Sequence, residues 1–232
     1  MQTMAGRKKY VKYADKVLFL PYYPELEIAE QFIRARDKEG LVWDFSRQCS
    51  RQLKKQIFIC LNNILSTYEN WERKEKLKAL QDLYGYCEQM GIEDLECMTL
   101  EQEKGFVDFL PSKLSKRKAG RIFGIIELCR KTLFLYADQI HWYAQVWYME
   151  RFHFTKERLN PSKMVVSISF REISHEGNKK YLKEYMRYAL GITDVALSSI
   201  QTRFFEIRKF LQAVDEEERN VCELSERRIQ SY

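Results

Sequence analysis

The sequence predicts a mainly α-helical protein: two small helical bundles in tandem, joined by a basic and aromatic connecting region. Three observations carry this. Glycine and proline are scarce, nine and four among 232 residues, so few positions interrupt a helix. Apolar residues recur at spacings of three and four along most of the chain, the period of a helix with one buried face. The chain also resembles itself at a shift of about 125 residues, the mark of a repeated supersecondary unit.

A first helix is expected over 24–38. Pro24 and Glu25 suit its opening turn, Leu26, Ala29, Phe32 and Ile33 share a face, and Gly40 follows as a stop. The next spans about Ser46 to Ser66, with Leu53, Ile57, Cys60, Leu61, Ile64 and Leu65 as its stripe. A third runs from Trp71 to Met90, buries Leu77, Leu80, Leu83, Tyr84 and Cys87, and stops at Gly91. Thr99 and Gln102 have capping-box spacing and open a helix carrying Phe106, Val107 and Leu110. Five cations without an anion (Lys113, Lys116, Arg117, Lys118, Arg121) mark a composition shift after Pro111. A helix from Lys118 to about Asp138 follows. The segment 139–154 holds Trp142, Tyr143, Trp147, Tyr148, Phe152 and Phe154; aromatics at this spacing read as packed core rather than as a platform for single-stranded nucleic acid. Leu159–Ser162 reads as a turn and Val165–Ile168 as a short extended run. Helices are expected again over 174–191 and 198–214, and a last one begins after Ser225. The expected domains are an extension at 1–43, a first bundle at 44–111, a connecting region at 112–168 and a second bundle at 169–232, cut short at its end.

Composition narrows the function classes. Hydrophobic residues make up 45% and aromatics 14%, ample for a buried core, which excludes wholesale disorder. A net charge of +6 suits a polyanionic partner but is shared by many proteins that bind none. Cys49, Cys60, Cys87, Cys97, Cys129 and Cys222 form no C-x-x-C pair and read as small hydrophobes in a reducing compartment. His141, His153 and His175 pair with none of them at ligand spacing, so neither metal nor cofactor is expected. Val17–Leu20 is too short for a secretory core or a span, so a cytoplasmic location and no membrane partner are expected. No Gly-rich phosphate loop or nucleophile elbow points to a stand-alone enzyme or a small-molecule substrate.

The repeat aligns Phe45 with Phe170, Lys54-Lys55 with Lys179-Lys180, Ile57 with Leu182, Cys60 with Tyr185 and Leu65 with Leu190. After a slip of one or two positions it aligns Leu80 with Ile207, Leu83 with Phe210 and Thr99 with Ser225.

The stretch Ser198-Ser199-Ile200, Arg203-Phe204, Ile207-Arg208 and Phe210-Leu211, then Val221–Leu224 and a Ser-led helix, resembles the core-binding domain of tyrosine recombinases. Trp147-Tyr148, Arg151-Phe152, Arg158, Asn160–Ser162, Ser169-Phe170 and Ile173 resemble the long integrases of transposons and conjugative elements. The resemblance covers most of 44–232 and implies SAM-like bundles that clamp double-stranded DNA, with other recombinase protomers as possible partners on it. The catalytic domain of the family would follow Tyr232. Its His-x-x-Arg motif is missing here, since Ala144, Lys156 and Asn178 stand three residues after the histidines, so no catalytic residue carries over and no activity is expected of this chain alone.

Cationic and hydroxyl side chains supply phosphate contacts. The candidates are Ser198, Ser199, Thr202, Arg203, Arg208 and Lys209 on one helix; Lys179, Lys180 and Lys183 on the preceding one; Lys54 and Lys55 in the first bundle; and Lys116, Arg117, Lys118 and Arg121 between bundles. Each is also an ordinary solvated charge in another reading, under which the chain is a helical protein-interaction scaffold with incidental basicity.

Overall fold

The computed structural model describes residues 17–20, 23, 26–33, 39–110, 116–216 and 220–224, and the side chains of 116–123 are not among those described. The described chain is mainly helical and divides into two compact units, Met1–Ala137 and Asp138–Tyr232.

In unit 1, β1 (Val17–Phe19) pairs antiparallel with β2 (Val42–Asp44), Val17 opposite Asp44, and α1 (Leu26–Ile33) lies between them in sequence. Four helices follow: α2 (Arg51–Thr67), α3 (Asn70–Met90), α4 (Leu100–Phe109) and α5 (Lys116–Tyr136). Local chemistry sets their ends. Ser50 Oγ accepts the Leu53 N–H at 3.0 Å and starts α2. Gly91, at φ 64°, ends α3 in the left-handed region that Gly enters without a Cβ clash. Thr99 and Gln102 form the expected capping box. The stripe of α2 (Leu53, Ile57, Leu61, Ile64, Leu65) is buried with Leu77, Leu80, Leu83 and Cys87 of α3 and Ile125, Ile126, Cys129 and Leu133 of α5. Each such side chain contributes about 1.5–3 kcal/mol relative to exposure. Phe45, directly after β2, stacks edge-on to Phe58 at 5.8 Å and lies 6.0 Å from Tyr84. A buried guanidinium locks α5 to α4: Arg130 Nη1 donates to Glu103 Oε1 at 2.5 Å, Nη2 to the Met98 carbonyl at 2.7 Å and Nε to the Leu95 carbonyl at 3.2 Å.

In unit 2, β3 (Val146–Tyr148) pairs antiparallel with β4 (Ser167–Ser169), Trp147 opposite Ile168. Two long helices follow, α6 (Glu176–Gly191) and α7 (Leu197–Glu216). The Asp215 carboxylate accepts from the backbone N–H of Ser174 and His175 and from Asn178 Nδ2, at 2.7, 3.1 and 2.8 Å, tying the end of α7 to the start of α6. Arg158 closes the other end of α6 by donating to the carbonyls of Ala189, Leu190 and Val195 while lying 4.8 Å over Phe154. Trp147, Phe170 and Phe204 form an edge-to-face core at 4.7 and 5.4 Å.

The division differs from the expected one. The basic stretch is no free connector: from Lys116 its backbone is the first part of α5, whose apolar face completes unit 1. The aromatic segment belongs to unit 2, with Trp147 fully buried and Trp142 against it at 4.9 Å. The helix expected to begin after Ser225 lies outside the described residues, as do Lys113 and the first sixteen positions.

The two units share a local order. Each has a two-stranded ribbon, then a buried Phe (Phe45, Phe170), then a side-chain N-cap (Ser50, His175). Two helices and a 3-10 turn follow in each, Leu95–Cys97 or Val221–Glu223. Each turn is capped by Asp94 or Asn220 and held to the first helix by an amide: Gln56 Oε1 accepts Leu95 N–H, and Asn178 Oδ1 accepts Val221 N–H, both at 2.8 Å. Among the described residues, unit 2 has no counterpart of α4 or α5.

Candidate nucleic-acid interface

Helix periodicity sorts the paired lysines. Residues three and seven before a core position share its face, and Lys54 and Lys179 stand so to Ile57 and Leu61 and to Leu182 and Met186. Both are buried, at 8% and 4% exposure, so neither is the surface cation expected of it. Lys179 Nζ is paired with Glu176 Oε1 at 2.6 Å. The second lysine of each pair, Lys55 and Lys180, points outward in both units.

Other candidates are engaged within unit 2. Lys183 Nζ donates to the Tyr143 carbonyl at 2.6 Å and sits 5.6 Å over the Phe170 ring, the place that the Phe58 ring takes on Phe45 in unit 1. Arg208 pairs with Glu172 at 2.9 Å and lies 5.1 Å over Phe205, with little of its side chain exposed. A phosphate would have to displace both contacts. Helix α7 starts at Leu197, one residue before the expected start, and the Ala196 carbonyl already accepts the N–H groups of Ser199 and Ile200. The Thr202 hydroxyl donates to the Ser198 carbonyl at 3.0 Å, and Ser198 is half-buried.

What remains is one solvent arc of α7, formed by Ser199, Thr202, Arg203 and Lys209 with Glu206 among them, and the row on α6 begun by Lys180. Arg187, seven residues after Lys180 and so on the same side, is exposed and was missed; its spacing was the available signal. Its guanidinium lies 5.2 Å over Trp142. Lys156 and Lys163 add exposed cations in the loop before β4. Lys116, Arg117, Lys118 and Arg121 have helical backbone, and their side chains lie outside the described residues.

Nothing else in the described residues assembles into a reactive centre. Burial pushes the Cys60 and Cys87 thiols well up, which keeps them protonated and unreactive. No group of His, Cys, Asp and Glu among the described residues is arranged to hold a metal, and no described helix is long and apolar enough to cross a membrane. A hollow of about 240 Å³ beside Trp71, Glu75 and Ile125 falls short of usual ligand pockets, which run from about 300 Å³ upward. No protein-family model matches the sequence, and neither the curated proteins nor the solved structures gave a match to it.

Proposed function

We propose that the chain binds double-stranded DNA as the non-catalytic N-terminal and core-binding part of a tyrosine site-specific recombinase, its units acting as SAM-like bundles alongside other protomers on the DNA. The observation that carries this is the repeated outward cation: Lys55 and Lys180 occupy equivalent positions on α2 and α6, and both reach solvent while the lysine before each is buried. In unit 2 the row continues past Glu184 to Arg187, and α7 adds Arg203 and Lys209 with the hydroxyls of Ser199 and Thr202 around Glu206. Such groups neutralise phosphates and release counterions, which supplies affinity without base readout. Lys54 and Lys179 take no part in this interface.

The test is fluorescence anisotropy of a labelled duplex over a range of salt. Each phosphate contact contributes a slope near −0.9 in log K against log salt, and charge reversal at Lys180, Arg203 and Lys209 together lowers the slope by roughly 2.7 units. Absence of binding at low ionic strength, or a triple variant with undiminished affinity, refutes the reading.

A further inference from the structure

Three large apolar side chains on α6, and a fourth on the residue that caps it, face solvent in one line: Tyr181, Tyr185, Tyr188 and Ile192, at spacings of four, three and four. They lie along one face of the helix, beside the buried stripe rather than opposite it. The repeat shows what such a face is for. The equivalent positions on α2 are Gln56, Cys60 and Asn63, which are 2%, 2% and 7% exposed; Tyr181, Tyr185 and Tyr188 are 44%, 36% and 55% exposed. In unit 1, α5 covers them: Cys60 Sγ lies 3.9 Å from the Cys129 carbonyl, and Asn63 Nδ2 donates to Thr132 Oγ1 at 3.1 Å. The first position of each face touches the 3-10 turn of its own unit. Gln56 bonds to Asp94 at 2.7 Å, and the Tyr181 hydroxyl lies beside the Cys222 thiol. The two faces therefore correspond, and among the described residues only that of α2 is covered by a further helix.

We propose that the tyrosine face of α6 is a seat for a single amphipathic helix from a partner protein, lying in unit 2 where α5 lies in unit 1. Its chemistry follows from the seat. Contacts of Cys60 with Cys129 and of Asn63 with Thr132 advance in the same sense, so the incoming helix runs parallel to α6. It carries an aliphatic stripe spaced like Ile125, Ile126 and Leu133. Tyr185 and Tyr188 are larger than Cys60 and Asn63, so the residues opposite them are small, Ala in place of Cys129 and Thr132. Lys180 and Arg187 flank the seat with Glu184 between them and the tyrosines, an edge of net positive charge that favours acidic residues at the levels of Gly124 and Lys131 of α5. Exposed aromatic rows of this kind are typical of partner-binding surfaces, and tyrosine is enriched at the centres of interfaces.

The probe is a labelled peptide with the α5 sequence, residues 116–136, carrying Gly124→Glu, Cys129→Ala, Lys131→Glu and Thr132→Ala. Titrated with the full chain, it binds saturably in the micromolar range, about 10 µM or tighter. Tyr185→Ser with Tyr188→Ser weakens it at least tenfold while the thermal midpoint and the duplex affinity of the chain stay as they were. Ile192→Lys, at a residue 72% exposed, gives the same loss and serves if the tyrosine pair compromises folding. Absence of peptide binding overturns the proposal, as does binding indifferent to these substitutions. A parallel loss of duplex affinity overturns it too, by making the tyrosines part of a nucleic-acid face. Failure of duplex binding alone leaves the helix seat standing, so the two readings fail separately.

Discussion

Replacing Arg130 by Met removes a guanidinium that holds three elements of unit 1 at once. Its neighbours are the Glu103 carboxylate and the carbonyls of Leu95 and Met98, at 2.5 to 3.2 Å, and both charged side chains are buried. Met fills the space of the aliphatic stem but satisfies none of these acceptors. Breaking a buried ion pair from one side costs about 3–5 kcal/mol, because the remaining charge stays desolvated without its counterion. The carbonyls each lose a donor, for which about 1–3 kcal/mol is the upper range when no water replaces it. The terms overlap, so the expected loss is about 4–5 kcal/mol, a large share of the ~5–15 kcal/mol that holds a domain. Urea unfolding followed by far-UV circular dichroism reads this as a midpoint lowered by about 2 M. Adding Glu103→Leu to Arg130→Met removes the stranded carboxylate and restores about 2 kcal/mol, although it takes away a second side chain. If the single variant loses less than about 1 kcal/mol, or the double variant is no more stable than the single, the pair is not the lock described here.

Gly91→Ala, where space is open but φ is 64°, lowers stability by about 1 kcal/mol in thermal melts and Gly91→Asn by less; an Ala variant as stable as the parent would contradict the left-handed cap. Arg158→Met costs about 2 kcal/mol, seen as an early transition in Trp emission from unit 2, and Arg158→Lys does not restore it, because an ammonium lacks the planar fork that spans the carbonyls at the end of α6. The Cys60 and Cys87 thiols are raised above their unfolded values by burial, with Cys129 adding to it, so the unfolded chain releases those protons first. Stability is complete below about pH 8.5 and declines as pH rises beyond it, and the decline is shallower in Cys87→Ala when urea midpoints are compared across pH 7–10. Under native conditions the thiol reagent reaches exposed Cys97 and Cys222 first, and Cys60, Cys87 and Cys129 only on unfolding.

The helices were legible because their ends carry specific chemistry: Thr99 with Gln102, Gly91, and a stripe from Leu53 to Leu65 with an unbroken period. The division of the chain was not. A run of cations from Lys113 to Arg121 looks like a connector, yet from Lys116 on its backbone is drawn into α5 by Ile125, Ile126, Cys129 and Leu133 further along the same helix. Apolar burial over a whole helix outweighs local charge, and the composition shift was read at too short a range. Within the candidate interface, residue type alone could not separate Lys179 from Lys180. Successive residues point about 100° apart, and spacing from Leu182 and Met186, together with Glu176 three residues before, was the missing step. The partners of Arg130 lie on the short stretch from Leu95 to Glu103, 27 to 35 residues earlier in the chain, and no local pattern around Arg130 announces that contact.

The amide tethers of the 3-10 turns reach beyond static geometry. Leu95 and Val221 begin segments that look like surface connections, but their N–H groups are held by Gln56 and Asn178, residues of the long helices α2 and α6. Deuterium will enter those positions only when the helix beneath loosens, so each turn should exchange on the slow clock of its bundle rather than the fast clock of a loop. Two islands of late-exchanging amides, far apart in sequence and separately timed, would then report the opening of each unit on its own.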